Sequence, residues 1–153
     1  MPLTLVAPVA GTVLAMADVP DPVFAGAIVG PGLAIDPDTG AGDSDAVAPV
    51  DGTIAKLHPH AFVVQVDEQH AVLVHLGLDT VQLAGEGFTL HVAEGDRVST
   101  GQRIVSWDAA AVAAGGRSPV CPVVAIQGET GAVRGLVEPG DAVAAGTPFL
   151  EWA

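Results

Sequence analysis

The sequence predicts an all-β domain, an antiparallel sandwich or flattened, barrel-like sheet assembly with one or two short helices. Three observations carry this. Nineteen glycines and twelve prolines punctuate short apolar segments along 153 residues, the spacing of many short strands joined by turns. Half of the residues are hydrophobic, enough to build one core in a chain of single-domain size, so residues 1–153 are expected to form one domain. The chain also echoes itself. Ala7-Pro8-Val9-Ala10-Gly11-Thr12-Val13 recurs as Ala48-Pro49-Val50-Asp51-Gly52-Thr53-Ile54, and Glu94-Gly95-Asp96-Arg97-Val98-Ser99-Thr100-Gly101 resembles Pro139-Gly140-Asp141-Ala142-Val143-Ala144-Ala145-Gly146. Two weak repeats, each seen twice, point to a duplicated sheet unit packed on itself rather than to a solenoid of three or more units.

In chain order, Leu3 to Val6 and Thr12 to Leu14 flank a turn at Pro8-Val9-Ala10-Gly11, and Leu33 to Ile35 and Ala46 to Ala48 flank a surface loop from Asp36 to Asp43. Phe62 to Val66 and Ala71 to Leu76 are β-branched apolar runs separated by Asp67-Glu68-Gln69-His70, which reads as a hairpin. The best helical signal is Asp108 as a cap ahead of Ala109 to Ala114, with Gly115-Gly116 as the stop, a connector of barely two turns.

Composition narrows the function classes. Eighteen acidic residues against five basic ones give −13. Nucleic acid and anionic membrane surfaces need clustered Lys and Arg, so both are disfavoured and a basic protein partner is favoured. No basic leader precedes an apolar run and no apolar run approaches about 18 residues, so the expectation is a cytoplasmic protein with no membrane insertion. Cys121 is alone and reads as a small buried hydrophobe. Asp36, Asp38, Asp43 and Asp45 lack the ordered spacing of a calcium loop and read as a solvated loop. No phosphate-cradling glycine motif is present, so a phosphoryl group is expected to arrive on a protein.

Three of the five histidines, His58, His60 and His75, fall in the two stretches 58–62 and 74–80. If Asp67 to His70 form the hairpin loop, Val66 faces Ala71, Phe62 faces His75 and Gly77 faces His60, so His60 and His75 sit diagonally on one sheet face. Diagonal neighbours are roughly 7–8 Å apart at Cα, room for a small tetrahedral group or a metal ion, with Gly77 leaving the space open. Imidazoles that merely hydrogen-bond within a β surface are the plainest reading. The chemical ones are a zinc site, for which His58, His60, His75 and Asp79 supply donors, and nucleophilic catalysis, in which one imidazole takes a phosphoryl group and the second restrains its oxygens. His70 and His91 read as structural or solvated.

The sequence resembles the IIA component of the glucose-type branch of the bacterial phosphoenolpyruvate-dependent sugar phosphotransferase system. The resemblance covers nearly the whole chain. It rests on Asp18-Val19-Pro20-Asp21-Pro22-Val23-Phe24-Ala25, Ile28-Val29-Gly30, Gly32-Leu33-Ala34-Ile35, Ala48 to Ile54, His60-Ala61-Phe62, Val74-His75-Leu76-Gly77-Leu78-Asp79-Thr80-Val81 and Gly85-Glu86-Gly87-Phe88. It implies a duplicated hybrid motif in a β-sandwich and a phosphotransferase component with a phosphohistidine intermediate. Such a component accepts phosphate from the histidine phosphocarrier protein and passes it to a cysteine on the IIB domain of a sugar permease. It needs no cofactor and binds regulatory target proteins when unphosphorylated. His75 matches the phosphorylated histidine and His60 the residue that holds the phosphoryl oxygens. Asp21 and Asp79 match flanking acids, and Val23, Phe24 and Val29 match an apolar rim that docks partners. The sequence departs from the best-known members ahead of His60, where the turn is short and His58 stands in place of a common threonine, which makes His58 a candidate extra phosphoryl contact. The alternative is a zinc peptidase of the LytM type on a related β scaffold. Those enzymes present HxxxD before HxH, the reverse of the order here. In the carrier reading no metal is required, although His60 and His75 can bind zinc opportunistically.

Overall fold

The computed structural model describes residues 3–26, 29–38 and 44–153. Its strands are β1 (Leu3–Val6), β2 (Gly11–Ala15), β3 (Gly32–Pro37), β4 (Ser44–Val47), β5 (Gly52–His58), β6 (Ala61–Gln65) and β7 (Ala71–His75), then β8 (Phe88–Leu90), β9 (Arg97–Val98), β10 (Arg103–Trp107), β11 (Cys121–Ala125), β12 (Val133–Gly135), β13 (Ala142–Val143) and β14 (Pro148–Trp152). Two short helices interrupt them, α1 (Pro22–Ala25) and α2 (Ala109–Ala114). An eight-stranded sheet runs β13-β2-β3-β11-β7-β6-β5-β9, and two three-stranded sheets run β1-β14-β12 and β4-β10-β8. Every strand pairing is antiparallel. The three sheets share one core: Val13, Ile35, Phe62, Val64, Val72, Val74 and Val123 from the long sheet meet Leu5, Ala46, Val105, Trp107, Phe149 and Leu150 from the short ones.

The echoed segments pair with one another. Gly11 lies opposite Val143 and Thr12 opposite Ala142 at one end of the long sheet, and at the other end Gly52 lies opposite Val98 and Thr53 opposite Arg97. The hydrogen bonds repeat as well: Val13 N–H donates to Asp141 and Ile54 N–H to Asp96, while Gly140 N–H donates to Val13 and Gly95 N–H to Ile54. The duplication read from the sequence is therefore a pseudo-twofold arrangement. Its axis passes between β7 and β11, where Val74 faces Val123. The Pro8 to Gly11 turn does not close a hairpin. It carries the chain from the sheet of β1 to the long sheet, and Pro49 to Gly52 makes the same crossing from β4 to β5.

Helix α2 begins and ends where expected, with the Asp108 carboxylate accepting from Ala111 N–H and the chain leaving the helix at Gly115. Helix α1 was legible but unread: Asp21 caps it by accepting from Val23 N–H at 2.9 Å, with Pro22 in the first turn, the residue pair that starts helices. Of the acidic loop, Asp36 and Pro37 continue β3, and residues 39–43, Asp43 among them, lie outside the described residues.

The predicted β6–β7 register is off by one. Gln65, not Val66, faces Ala71, so Ala61 faces His75 and Phe62 faces Val74. The cause is the loop. Asp67 accepts from Gln69 N–H at 2.8 Å and bonds His70 Nδ1 at 2.8 Å, while Val66 N–H donates to the His70 carbonyl. His70 thus belongs to the returning strand, and the turn closes over three residues rather than four. A one-residue slip reverses every face, which puts Phe62 and Val74 together in the core and His75 on the opposite face.

Gly11 and Gly52 occupy equivalent places, where a Cβ would overlap the carbonyl oxygens of Asp36 and Gln65 respectively. Backbone cannot yield there as a side-chain tip can. Gly11→Ala and Gly52→Ala are each expected to destabilise the fold by roughly 2–4 kcal/mol. Gly146→Ala, at φ +91° with nothing nearby, should cost only about 1–2 kcal/mol from its left-handed backbone. Urea unfolding of the three variants checks the ordering, and equal losses would contradict it.

Candidate functional site

His75 ends β7 on the face of the long sheet turned away from the main core. That face carries its own apolar layer: Met16, Val19, Phe24, Ala34, Leu78, Val120 and Val124, with Leu14, Val29 and Leu73 against it. The described residues of the connection from β2 to β3, 16–26 and 29–31, supply much of the layer, through Met16, Val19, Phe24 and Val29. In the other half of the pseudo-symmetric pair, the matching connection between β5 and β6 is only Pro59 and His60. The long connection brings Phe24 edge-on to His75, ring centroids 5.4 Å apart. The short one brings His60 to 5.3 Å.

The structure brings His60 and His75 together, but not through the predicted strand register. His60 is not a strand residue facing Gly77. It lies in the turn, its carbonyl accepting from Leu76 N–H, so its ring is free of the pleat's alternation. His58 reaches the same place by a different device. A bulge between Ile54 and Lys56 shifts β5 so that His58 lies opposite Ala61, which lies opposite His75. His58, Ala61 and His75 therefore form a row on one face, and His58 stacks on His60 at 5.6 Å and 21°.

Gly77 also departs from expectation, since it opens no space. At φ +78° its missing Cβ would meet Thr80 Cγ2 at 2.6 Å and Ser118 O at 3.1 Å. Its carbonyl accepts from His75 Nδ1 at 2.5 Å. A carbonyl cannot donate, so the proton resides on Nδ1 and the lone pair on Nε2. The buried Thr80 hydroxyl donates to the Leu76 carbonyl at 2.8 Å, and Leu78 N–H donates to Ser118 O. These bonds hold the backbone around Gly77. Only sequence-distant packing decides them, and no spacing rule would have found that carbonyl.

Burial lowers the basicity of His75. The Gly77 carbonyl and then the carboxylates of Asp21 and Asp79 act against it, but the pKa stays below the ordinary 6.5. His60 is also lowered, first by burial and then by its neighbours His75 and His58. Both rings are held neutral at neutral pH. Asp79 begins the 3-10 turn Thr80–Leu83 in a left-handed conformation, φ 59°, which Asp tolerates better than most residues. Val23 is 44% and Val81 61% exposed. Val81 was absent from the predicted rim, although it directly follows the Asp79-Thr80 pair. Phe24 is buried and Val29 half-buried, so of the predicted rim Val23 is the side chain that presents itself outward.

The remaining candidates lie elsewhere. His70 pairs with Asp67 and meets Trp152 edge-on at 4.6 Å, and His91 Nε2 bonds Ser106 Oγ at 2.7 Å. Cys121 is fully buried, donates to the Pro119 carbonyl, and burial pushes its thiol up to about 12, which makes it inert. Among the described residues no three His, Cys, Asp or Glu side chains converge as metal ligands, and no helix is long and apolar enough to cross a membrane.

The family model for the phosphoenolpyruvate-dependent sugar phosphotransferase system, EIIA 1, matches residues 3–131. A glucose-specific EIIA component from Oceanobacillus iheyensis is 39% identical over 124 residues, spanning 80% of this chain and 73% of that one. The N-acetylglucosamine-specific EIICBA component of Klebsiella pneumoniae is 37% identical over 150 residues, 97% of this chain and 22% of that one. The glucose permease IIA of Mycoplasma capricolum superposes with a TM-score of 0.85 at 31% identity, covering 98% of this chain and 96% of that one. The zinc-peptidase alternative finds no support in the donor geometry or in these relatives. The chain belongs to the EIIA 1 family of the phosphoenolpyruvate-dependent sugar phosphotransferase system, as a glucose-type IIA component that relays phosphate within it.

Proposed function

We propose that His75 is the residue that carries the phosphoryl group, through Nε2, and that residues 1–153 act as one IIA domain in the cytoplasm. The donor is the histidine phosphocarrier protein and the acceptor is a cysteine on the IIB domain of a sugar permease. The observation that carries the assignment is the Nδ1 bond to the Gly77 carbonyl, which leaves Nε2 as the nucleophilic nitrogen of a neutral ring. As Nε2 bonds to phosphorus, the phosphorus–nitrogen bond on the donor breaks. The positive charge that develops on the His75 ring is met by the Gly77 carbonyl and by Asp21 and Asp79. His60 donates to the phosphoryl oxygens, and His58, stacked on His60, sets its orientation. Phosphate then leaves for the IIB thiolate, with a phosphorus–sulfur bond formed and Nε2 restored.

Asp21, Asp79, Val23 and Val81 form the partner face in this reading, with half-buried Val29 and buried Phe24 packed beneath it. Exposed apolar side chains beside uncompensated carboxylates suit a basic, apolar-centred surface. The relatives' names include glucose, N-acetylglucosamine and mannose, so the sugar belongs to the permease rather than to this chain.

Three outcomes test the proposal. His75→Ala is expected to abolish uptake of acid-labile phosphate from the phosphorylated carrier, by intact mass, while the fold survives. His60→Gln should keep uptake but slow transfer to IIB by roughly two orders of magnitude. Phosphate mapped to His60 in the wild type would overturn the assignment.

Metal plays no part in this chemistry, so uptake rates before and after exhaustive chelation should agree. A loss restored by zinc would contradict the carrier mechanism.

The pH dependence has a definite sign. Both rings are less basic folded than the ordinary 6.5 of an unfolded histidine. Below about pH 6.5 the unfolded chain therefore binds more protons, so stability is lost as pH is lowered through that window and is unaffected by these groups above it. Proton NMR titration should place the midpoints of His60 and His75 below 6.5. The Asp21→Asn and Asp79→Asn pair keeps the helix cap and the left-handed turn but removes both carboxylates, and should move His75 lower still. A midpoint above 6.5, or one unmoved by the pair, would refute this electrostatic account.

A further inference from the structure

Beyond the 3-10 turn that Asp79 begins lies a cleft of about 230 Å³, lined by Leu83, Glu86, Gly87, Phe88, Asp108, Ala111 and Val112. Its walls are largely aliphatic and aromatic, and its two charged groups are both carboxylates. Three features tie it to the histidine site. Leu83 closes the turn that begins at Asp79, whose carboxylate acts on the His75 ring. Val112 forms a wall of the cleft and also packs behind Gly77, 3.5 Å from where a Cβ would stand. Gly85, between Leu83 and Glu86, lies against Pro59, the residue between His58 and His60.

The cleft's charge has no internal answer. None of the five basic residues lines it, no ion pair among the described residues involves Glu86 or Asp108, and Arg117, just after α2, turns its guanidinium to Gln82 at 3.2 Å. Asp108 spends one carboxylate oxygen on the cap of α2 and keeps the other for an outside donor, while Glu86 is exposed. Apolar walls with carboxylates at their edge match one kind of side chain: a long aliphatic stem ending in a cation.

We propose that this cleft is a second anchor point for the donor protein that docks on His75, and that it receives a lysine or arginine side chain from that partner. The inference rests on the reading of His75 as the phosphoryl acceptor. It adds a specificity contact that lies outside the reacting atoms, so the anchor acts on docking and not on the transfer step.

The test measures phosphoryl uptake from the phosphorylated histidine carrier as a function of its concentration, in wild type and three variants. Glu86→Gln with Asp108→Asn removes both charges and keeps a competent helix cap, since Asn caps as well as Asp. Ala111→Leu fills the cleft without changing charge. Glu94→Gln with Glu138→Gln, on exposed turns far along the sheet ends, removes the same number of charges elsewhere. The expected result is a rise in KM of about fivefold or more for the first two variants, kcat within about twofold, and no such rise in the control. KM unchanged in both cleft variants, an equal rise in the control, or a loss confined to kcat would each overturn the anchor. Failure of the wild type itself to take phosphate on His75 would instead sink the carrier assignment, so the two readings fail separately.

Discussion

The hydrogen bond from His75 Nδ1 to the Gly77 carbonyl is the contact on which the site depends, and it is made two residues along the same chain. A strand cannot normally present residue i+2 to the ring of residue i. Here the chain leaves β7 at once and turns through Gly77 at φ +78°, a conformation that costs other residues about 1–2 kcal/mol. The turn is buttressed by Ser118 after α2, by the buried Thr80 hydroxyl and by Val112. Fixing the tautomer in this way leaves the lone pair of the neutral ring on Nε2. The same carbonyl stabilises the ring when it is charged, so the neutral and charged forms use one geometry.

The pseudo-twofold arrangement explains why one site exists rather than two. Val124 stands in β11 where His75 stands in β7, facing Gly32 as His75 faces Ala61. In the first half the β2–β3 connection is long, and it folds over both positions. It buries Val124 completely and covers His75 only in part, with Phe24 along its edge. In the second half the connection is two residues and delivers His60. The asymmetry of two loops on a symmetric sheet thus makes a buried apolar seam on one side of the axis and a partly covered imidazole on the other.

Electrostatics follows from the same burial. Desolvation lowers both imidazoles, and the closeness of His60 to His75 and His58 makes simultaneous protonation costly. The carboxylates at Asp21 and Asp79 partly oppose this from the rim, where water screens them and a basic partner would not. The protein therefore holds a neutral imidazole inside an acidic frame.

By itself the sequence determined the fold class, the duplication, helix α2 with its Asp108 cap, the inert Cys121 and, through blocks of family-like residues, the histidine pair and the acids beside it. These are local or repetitive signals: glycine and proline spacing, a capping carboxylate, a motif in fixed order. The tertiary structure alone decided which face each histidine occupies. Register depends on where Asp67 closes its loop, and one residue of difference reverses the faces of a whole strand. The β5 bulge that puts His58 in line with His75, the escape of His60 from the pleat, and the partnership of Nδ1 with Gly77 are likewise set by long-range packing. No period in the sequence encodes them, because each arises where the chain breaks its period.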